Sequence, residues 1–301
     1  MRLPASRQRA HAGQVRSGVV AALVIPFAMA VGLVVVSSRP QPAAASPHSD
    51  VRDAVAVAKA RGVAAGVAVL DTHDGTVWQG GDHSRTFSSA SVVKVMIAAK
   101  LLVTGQMRGD TAESAAEMIS RSDDGAASAL YGLVGGDGLI DWVKAHYAVP
   151  FLGGPPSPPG RWGNTRITPR GIVHLYAKLK ADPKVREWLL KAMRRATPYG
   201  TDGQFQLFGI PAATTDFAVK QGWTCCDAGV ATFTSTGYVG GDRFAVALFA
   251  DGAPHTYGVH LMQTLDAMAK ALLRSGRIDP PSPRPNPVPT RVPREHCKRW
   301  G

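Results

Sequence analysis

Between residues 50 and 79, the spacing of the hydrophobic residues changes from the pattern of a helix to that of strands. In residues 50–61 the apolar side chains recur at helical spacing, which predicts an amphipathic helix. Residues 63–70 are almost entirely apolar and predict a buried strand. An Asp-Gly pair then predicts the turn into a second strand over residues 76–79.

The middle of the chain has a helical pattern. It extends over residues 91–133, where glycines interrupt it, and it resumes in a short helix. Residues 150–166 are rich in proline and glycine, and we expect a packed loop there, close to a functional site. Thr168 and Asp182 each precede a proline, which predicts two further helices, the second ending near residue 196.

Extended patterns return in residues 217–223, 230–239 and 244–250, and a last helix is predicted over residues 255–274. Strands at both ends with helices between them indicate an α+β fold. We predict one antiparallel sheet covered by the terminal helices, with a helical lobe inserted at about residues 91–204. A catalytic cleft would lie between the sheet and this lobe.

Two terminal segments differ from the body, which we assign to residues 47–278. Residues 1–46 combine N-terminal arginines with an uncharged apolar run at 18–36, which is the order of an export signal or a signal anchor. Because this run approaches the roughly 20 residues that span a bilayer, we favour an uncleaved membrane anchor over cleavage near Ala45. The body would then lie outside the cytoplasm, and it would be secreted if cleavage occurs. We expect the proline-rich basic tail at 279–301 to be disordered.

The net charge of +12 belongs mainly to the two ends. Residues 1–46 carry five arginines and no acid, and residues 274–301 carry seven basic and two acidic residues. Residues 47–273 carry 22 basic and 20 acidic residues. Because a nucleic-acid-binding domain concentrates positive charge on its folded body, this distribution excludes a nucleic-acid partner.

The three cysteines allow two arrangements in an oxidising compartment. Cys225 and Cys226 are adjacent, and Cys297 lies in the tail. A disulfide between tail and body with one thiol left over, and a disulfide between the two neighbours, both remain open. The spacing completes no zinc ligand set, so we expect no metal, and nothing in the sequence indicates another cofactor.

Three short polar motifs stand out against the apolar elements. Ser91 and Lys94 are three residues apart at a predicted helix start, so they share one face of the helix. The second motif is Ser-Asp-Asp at residues 122–124, between two predicted helices, and the third is Lys-Gln-Gly at residues 220–222, in a predicted strand. Each motif alone also has an ordinary structural explanation, as a helix cap or as an edge-strand lysine.

The first motif has the chemistry of an activated nucleophile. A serine hydroxyl needs a base to remove its proton. A lysine is such a base only when it is neutral, a state that burial and neighbouring cations favour. At a helix start, backbone N–H groups near Ser91 would also face a developing oxyanion.

Together, in this order and in these types of element, the motifs resemble the S-x-x-K, S-D-N and K-T-G set of class A β-lactamases and penicillin-binding proteins. The resemblance covers about residues 50–275. Residues 220–223 are most similar to a subgroup of exported, β-lactamase-related serine hydrolases from actinobacteria. The resemblance implies the β-lactamase/transpeptidase-like fold.

The resemblance also implies a role for each polar residue. Ser91 would be the acylated nucleophile and Lys94 its base, and Ser122 would pass a proton to the leaving nitrogen. Lys220 would hold this relay and the substrate carboxylate. Four further residues would contact substrate: Asp124, Gln221, Gly222 and Trp223. The backbone N–H of Trp223 would contribute to the oxyanion hole.

Three departures from the family pattern affect the expected activity. Asp124 replaces an asparagine, so a carboxylate acceptor stands where an amide donor would hold a substrate carbonyl. Gln221 replaces a hydroxyl residue. Between Asp141 and Asp182 the chain has no Asp or Glu, so the loop glutamate that activates the deacylating water in class A β-lactamases is missing.

These observations favour an exported serine hydrolase or acyl-transferase that forms an acyl-enzyme at Ser91. The substrate would be a β-lactam or a related cell-wall amide, and deacylation would be slow. One alternative is a D-Ala-D-Ala carboxypeptidase or transpeptidase that acts on peptidoglycan stem peptides. Another is a non-catalytic homologue that binds cell-wall peptide. We expect a monomer whose partners are its substrate and the membrane.

Overall fold

The computed structural model of the protein describes residues 47–279. The predicted anchor within residues 1–46 lies outside this part, as do Cys297 and nearly all of the predicted tail. Within residues 47–279, no helix is both long and apolar enough to cross a membrane.

Helices and strands alternate in blocks along the described chain. The helices are α1 (Pro47–Ala60), α2 (Val93–Val103), α3 (Gly109–Ser120), α4 (Asp124–Leu133), α5 (Leu139–Tyr147), α6 (Pro169–Ala181), α7 (Arg186–Arg194) and α8 (Val259–Leu273). The strands are β1 (Ala64–Asp71), β2 (Val77–Gly81), β3 (Phe87–Ser88), β4 (Gly153–Gly154), β5 (Arg166–Ile167), β6 (Phe217–Asp227), β7 (Val230–Val239) and β8 (Phe244–Gly252).

The main sheet contains five antiparallel strands in the order β2-β1-β8-β7-β6. The strand β8 pairs with β1 on one side and with β7 on the other, so the last strand along the chain lies in the middle of the sheet. The strand β6 forms one edge. The short strands β3, β5 and β4 form a second sheet that leads towards α2.

Alternate residues of the central strands enter two separate hydrophobic cores. In β8, Val246 and Leu248 pack with the face covered by α1 and α8, whereas Ala247 and Phe249 pack with the helical lobe. Successive side chains of a strand point to opposite faces, and both faces here are covered, so the strands are apolar throughout. The sheet thereby separates the terminal helices from the helical lobe.

The predicted α+β class, with its antiparallel sheet and covering helices, is confirmed. Some boundaries differ. The edge strand β6 continues four residues beyond the predicted end at Trp223, as far as Asp227. Asp182 does not begin the next helix but follows the end of α6, and α7 starts only at Arg186. The last helix starts at Val259, because a short 3-10 turn at Pro254–Thr256 precedes it.

We expect the sheet centre to dominate the stability of the fold. Leu248 is fully buried in β8, so Leu248→Ala should lower the free energy of unfolding by about 2–5 kcal/mol. Leu133→Ala at the end of α4, where the side chain is 50% exposed, should change it by less than about 0.5 kcal/mol. Urea unfolding monitored by circular dichroism measures both values, and equal losses in the two variants would contradict this assignment of the core.

Candidate active site

Ser91 lies in a short 3-10 turn, Ala90–Val92, that leads directly into α2. Ser91 is only 5% exposed, and its hydroxyl makes no hydrogen bond with another residue of the described chain. Ala90 has a φ of +43°, a conformation that costs a non-glycine residue about 1–3 kcal/mol unless its surroundings fix it. Backbone strain of this kind clusters at active sites, and here it directly precedes the predicted nucleophile.

Lys94 lies in the first turn of α2 and is fully buried. Its Nζ donates to the Ser122 carbonyl oxygen at 2.8 Å and contacts the Ser122 Oγ at 3.2 Å. A shorter bond of 2.5 Å joins it to Asp124 Oδ1. The role of base that the resemblance implies for Lys94 needs Ser91 within hydrogen-bond reach, but among the described residues Lys94 bonds Ser122 and Asp124 and not Ser91.

Ser122 is the residue at which the predicted motifs meet. It connects α3 to α4 with a φ of +55°, and the next residue, Asp123, caps α4 by accepting a hydrogen bond from Ala126 N at 2.7 Å. The Ser122 Oγ accepts a second bond from Lys220 Nζ, at 2.9 Å. A helix, a loop and a strand that are far apart in sequence thus bring Lys94, Ser122 and Lys220 together.

The edge strand β6 supplies Lys220, which is buried and also bonds the Gln221 carbonyl oxygen at 3.1 Å. Gly222 follows, and a Cβ at this position would meet Ser89 O at 3.0 Å and Ala90 Cβ at 3.1 Å. Only a glycine therefore lets the Ser91 turn pack this closely against the strand.

The Gln221 side chain does not face the cluster, although we expected it to contact substrate. Its Nε2 donates to Phe208 O, and its Oε1 accepts from Thr236 N at 3.2 Å. Because successive strand residues point to opposite faces, the alternation that turns Lys220 towards Ser122 turns Gln221 away. Only the Gln221 backbone remains near the predicted site.

A hydrogen bond joins Trp223, which sequence reasoning indicated, to Asp202, which it did not, and the Asp202 charge acts on both lysines. The Trp223 Nε1 donates to Asp202 Oδ2 at 2.9 Å. The backbone N–H of Thr201, the residue before Asp202, donates to the carbonyl oxygen of Arg121, the residue before Ser122. Asp202 lies in a loop without a motif, so no sequence signal indicated it.

Trp162, from the proline- and glycine-rich loop, lies beside Lys94. Its ring lies 4.8 Å from Lys94 Nζ, and its Nε1 donates to Ser128 Oγ at 3.2 Å. The prediction of a packed loop near the site agrees with these contacts. In the same loop, Asn164 Nδ2 is already bonded to Ser157 O and to Asp227 Oδ1, both at 3.1 Å. The loop contains no Asp or Glu, so it presents no carboxylate to the site.

Burial lowers the pKa of both lysines. For Lys94, desolvation is the largest cause, and the nearby carboxylates of Asp124, Asp202 and Asp123 counteract it. For Lys220, desolvation is joined by the Lys94 charge, and the shift is larger. A lysine with a lowered pKa is a better proton acceptor near neutral pH, as acylation by Ser91 requires.

The adjacent cysteines Cys225 and Cys226 form a disulfide with each other, near the end of β6. Of the two arrangements left open by the sequence, the pairing of neighbours is therefore the one observed. Among residues 47–279, no group of His, Cys, Asp and Glu side chains could hold a metal ion.

Comparison with known proteins places the chain among named relatives. A protein of Mycobacterium tuberculosis that bears the provisional name lipoprotein LppW is 34% identical over 259 residues, or 79% of this chain and 81% of the relative. The chain belongs to the LppW family. The corresponding LppW protein of Mycobacterium bovis matches equally well. No family model matches the chain.

Comparison with solved structures identifies the fold of this chain. A class A β-lactamase from Mycobacterium abscessus is 17% identical, with a TM-score of 0.58 over 75% of this chain and 98% of that one. A mutant of PBP-A, solved as an acyl-enzyme complex with penicillin G, is 17% identical, with a TM-score of 0.57 over 75% of this chain and 95% of that one. This LppW-family chain therefore has the fold of class A β-lactamases and PBP-A.

Replacing Lys220 by Met should alter the pH dependence of stability. The folded-state pKa of Lys220 lies below its unfolded value, so the unfolded state binds more protons between the two values, and stability rises with pH there. Lys220→Met removes this dependence. We therefore compare the free energy of unfolding of the variant with that of the unmodified protein. The value for the variant minus the value for the unmodified protein should be highest near pH 7 and should fall towards pH 10.

The measurement is urea unfolding at several pH values between about 7 and 10, the upper end being close to the ordinary lysine pKa. Lys59 is exposed on α1, and Lys59→Met is the matched control for the loss of an ammonium group. A difference that stays constant with pH for Lys220→Met would contradict the lowered pKa.

Proposed function

We propose that this protein is an exported active-site serine hydrolase or acyl-transferase related to the β-lactamases. Ser91 is the nucleophile, and the substrate is a β-lactam or a related cell-wall amide. The observation that carries this proposal is that the two buried lysines, Lys94 and Lys220, both bond the Ser122 hydroxyl, and that Lys94 lies three residues after Ser91. The common fold with acylated PBP-A supports it.

The proposed acylation uses three side chains in sequence. Neutral Lys94 takes the proton of Ser91, whose oxygen then forms a bond with the amide carbonyl carbon. The carbon–nitrogen bond breaks as Ser122 gives its proton to the leaving nitrogen. Lys94, 3.2 Å from the Ser122 Oγ, returns the proton to that hydroxyl, so no proton is lost or gained overall. Lys220 orients Ser122 through the bond from its Nζ to the Ser122 Oγ, and in its protonated form it attracts the substrate carboxylate.

Deacylation should be slow because the site lacks a base for the attacking water. The loop between Asp141 and Asp182 has no carboxylate, and the amide of Asn164 is bonded elsewhere. General-base assistance contributes about 10²–10⁴-fold to a hydrolytic rate, equivalent to about 3–5 kcal/mol of barrier. An acyl-enzyme formed here would therefore be long-lived.

Two other functions remain candidates on specific observations. The missing loop carboxylate is equally compatible with a D-Ala-D-Ala carboxypeptidase or transpeptidase. The Lys94–Asp124 ion pair favours a non-catalytic peptide binder, since a lysine held as a cation cannot act as a base. The same labelling experiment, described below, distinguishes these functions.

We also propose that the body is exported and held at the membrane. The curated relatives are named as lipoproteins. In this chain the first cysteine is Cys225, so no cysteine directly follows the apolar run at residues 18–36 to accept a lipid. The apolar run itself would then provide the attachment.

Incubation with benzylpenicillin should produce a covalent adduct on Ser91 that intact-mass spectrometry detects for minutes or longer. Ser91→Ala should abolish it, and Ser84→Ala, which alters an exposed serine between β2 and β3, should leave it unchanged. An adduct that disappears within seconds would indicate efficient β-lactam hydrolysis, contrary to the slow deacylation that we expect. If no adduct forms but a D-Ala-D-Ala peptide is cleaved, the carboxypeptidase function is correct. If neither occurs, the peptide-binding function is favoured.

Asp124→Asn should shift the pH profile of acylation to lower pH. The Asp124 carboxylate raises the pKa of Lys94, so its removal lets Lys94 become neutral at a lower pH. Each unit of decrease in that pKa raises the neutral fraction about tenfold below the pKa. Adduct formation at several pH values measures the shift. Asp123→Asn removes a nearby charge that does not bond Lys94 and should give a smaller shift, and equal shifts would contradict a direct effect of Asp124.

A further inference from the structure

A buried carboxylate at the tip of the β6–β7 hairpin lies outside all three motifs. Asp227 is the last residue of β6, and its neighbours Cys226 and Ala228 are exposed. The Asp227 side chain, however, is only 8% exposed. A carboxylate is buried at such a cost only where donors surround it, so its partners indicate what it holds.

Three donors converge on Asp227. Ser88 Oγ donates to Oδ2 at 2.5 Å, and Arg166 Nη2 contacts the same oxygen at 2.8 Å. Asn164 Nδ2 donates to Oδ1 at 3.1 Å. Arg166 Nη1 also donates to Ser88 Oγ, at 3.2 Å, which closes the network.

These donors belong to the segments that border the nucleophile turn. Ser88 ends β3, three residues before Ser91, and it pairs with Arg166 of β5. Asn164 belongs to the loop that carries Trp162. Asp227 therefore connects the edge strand that supplies Lys220 to the segment entering the Ser91 turn and to the adjacent loop.

The Ser91 turn needs such support because it is strained. Ala90 adopts a φ of +43°, and strain of this size persists only where the surroundings determine it. On the loop side, Ser89 N donates to Thr165 O at 2.8 Å. On the strand side, Gly222 packs against Ser89 and Ala90. Asp227 joins the two sides and so fixes the distance between them.

We propose that Asp227 is a positioning residue for Ser91, acting through Ser88 and Arg166. This inference rests on the proposed function, because it concerns the reactivity of the same serine. Asp227 does not touch the substrate; it keeps the strained turn in the conformation that presents the Ser91 hydroxyl to the reacting carbon.

The negative charge of Asp227 is essential to this role. An asparagine has the same size but offers one acceptor oxygen and two N–H donors. Three donors would then share one acceptor, and Arg166 would lose its counterion beside Ser88. We expect the turn to shift even where the fold survives. A misplacement of about 1 Å costs on the order of 10²-fold in rate.

The test compares Asp227→Asn, the milder Ser88→Ala and a matched control. Asp50→Asn is that control: Asp50 is a buried carboxylate that accepts Ser275 Oγ at 2.6 Å and Arg277 Nη1 at 3.4 Å, on α1 beyond the opposite face of the sheet. Each protein reacts with benzylpenicillin and separately with a fluorophosphonate, from which the Ser91 oxygen displaces fluoride while its proton passes to Lys94. Intact mass against time gives the limiting rate and the half-saturating concentration, and Ser91→Ala identifies the labelled serine.

We expect Asp227→Asn to reduce the limiting rate with both reagents at least about tenfold, with half-saturating concentrations changed by less than about twofold. Ser88→Ala should reduce the rate less, and Asp50→Asn should leave it unchanged. If Asp227→Asn does not fold, the comparison of Ser88→Ala with Asp50→Asn decides. Unchanged rates, an effect only on the half-saturating concentration, or an equal loss in Asp50→Asn would overturn the inference.

The two proposals fail separately. Fluorophosphonate labelling of Ser91 without penicillin labelling would reject the proposed substrate class, and the phosphonylation rates of the variants would still decide the role of Asp227. If neither reagent marks Ser91 in the unmodified protein, Ser91 is not an activated nucleophile, and both proposals are wrong.

Discussion

Two buried amino groups, those of Lys94 and Lys220, share the hydroxyl of Ser122. Burial and mutual repulsion disfavour charging both of them, which lowers their pKa values, and nearby carboxylates counteract this effect. Asp124 supplies one by direct contact, and Asp202 supplies another from the loop that also holds Trp223. The positions of these loops are thus set by a requirement for charge balance around one oxygen atom.

The sheet and the helical lobe contribute different parts of this arrangement. The sheet provides Lys220 on an edge strand, and the lobe provides Lys94 and Ser122 at helix boundaries. Neither part contains all the polar groups, so the cluster exists only where the two cores approach each other. An edge strand suits this purpose, since one of its sides pairs with no other strand and can meet the lobe.

Much of the fold was predictable from the sequence, because long apolar strands and capped helices have local signals. The apolar runs of β7 and β8 and the Thr168-Pro169 helix start are examples. The motif residues were indicated because the three motifs occur in the order and in the types of element of class A β-lactamases and penicillin-binding proteins. Gln221 was expected to meet substrate, but its side chain points away from the cluster, an orientation that strand alternation from Lys220 gives directly.

Other parts of the site had no local signal. Asp202 and Asp227 each lie in or beside a turn, where an aspartate is the ordinary residue, and the side chains that they bond are 21 to 139 positions away. The bond from Lys94 to Asp124 rather than to Ser91 depends on the relative placement of α2 and α4. Such contacts result from tertiary packing, and a sequence pattern indicates only the residue types that take part.

The pairing of Cys225 with Cys226 has a consequence for how the protein is made. A crosslink between distant residues restricts the unfolded chain over a long loop, whereas a bond between neighbours closes almost none and removes little of that freedom. The hydrophobic cores on the two faces of the sheet therefore hold the body together without help from this bond. Oxidation of the two thiols changes the chemistry of one hairpin tip, and the body does not have to wait for an oxidant before it folds.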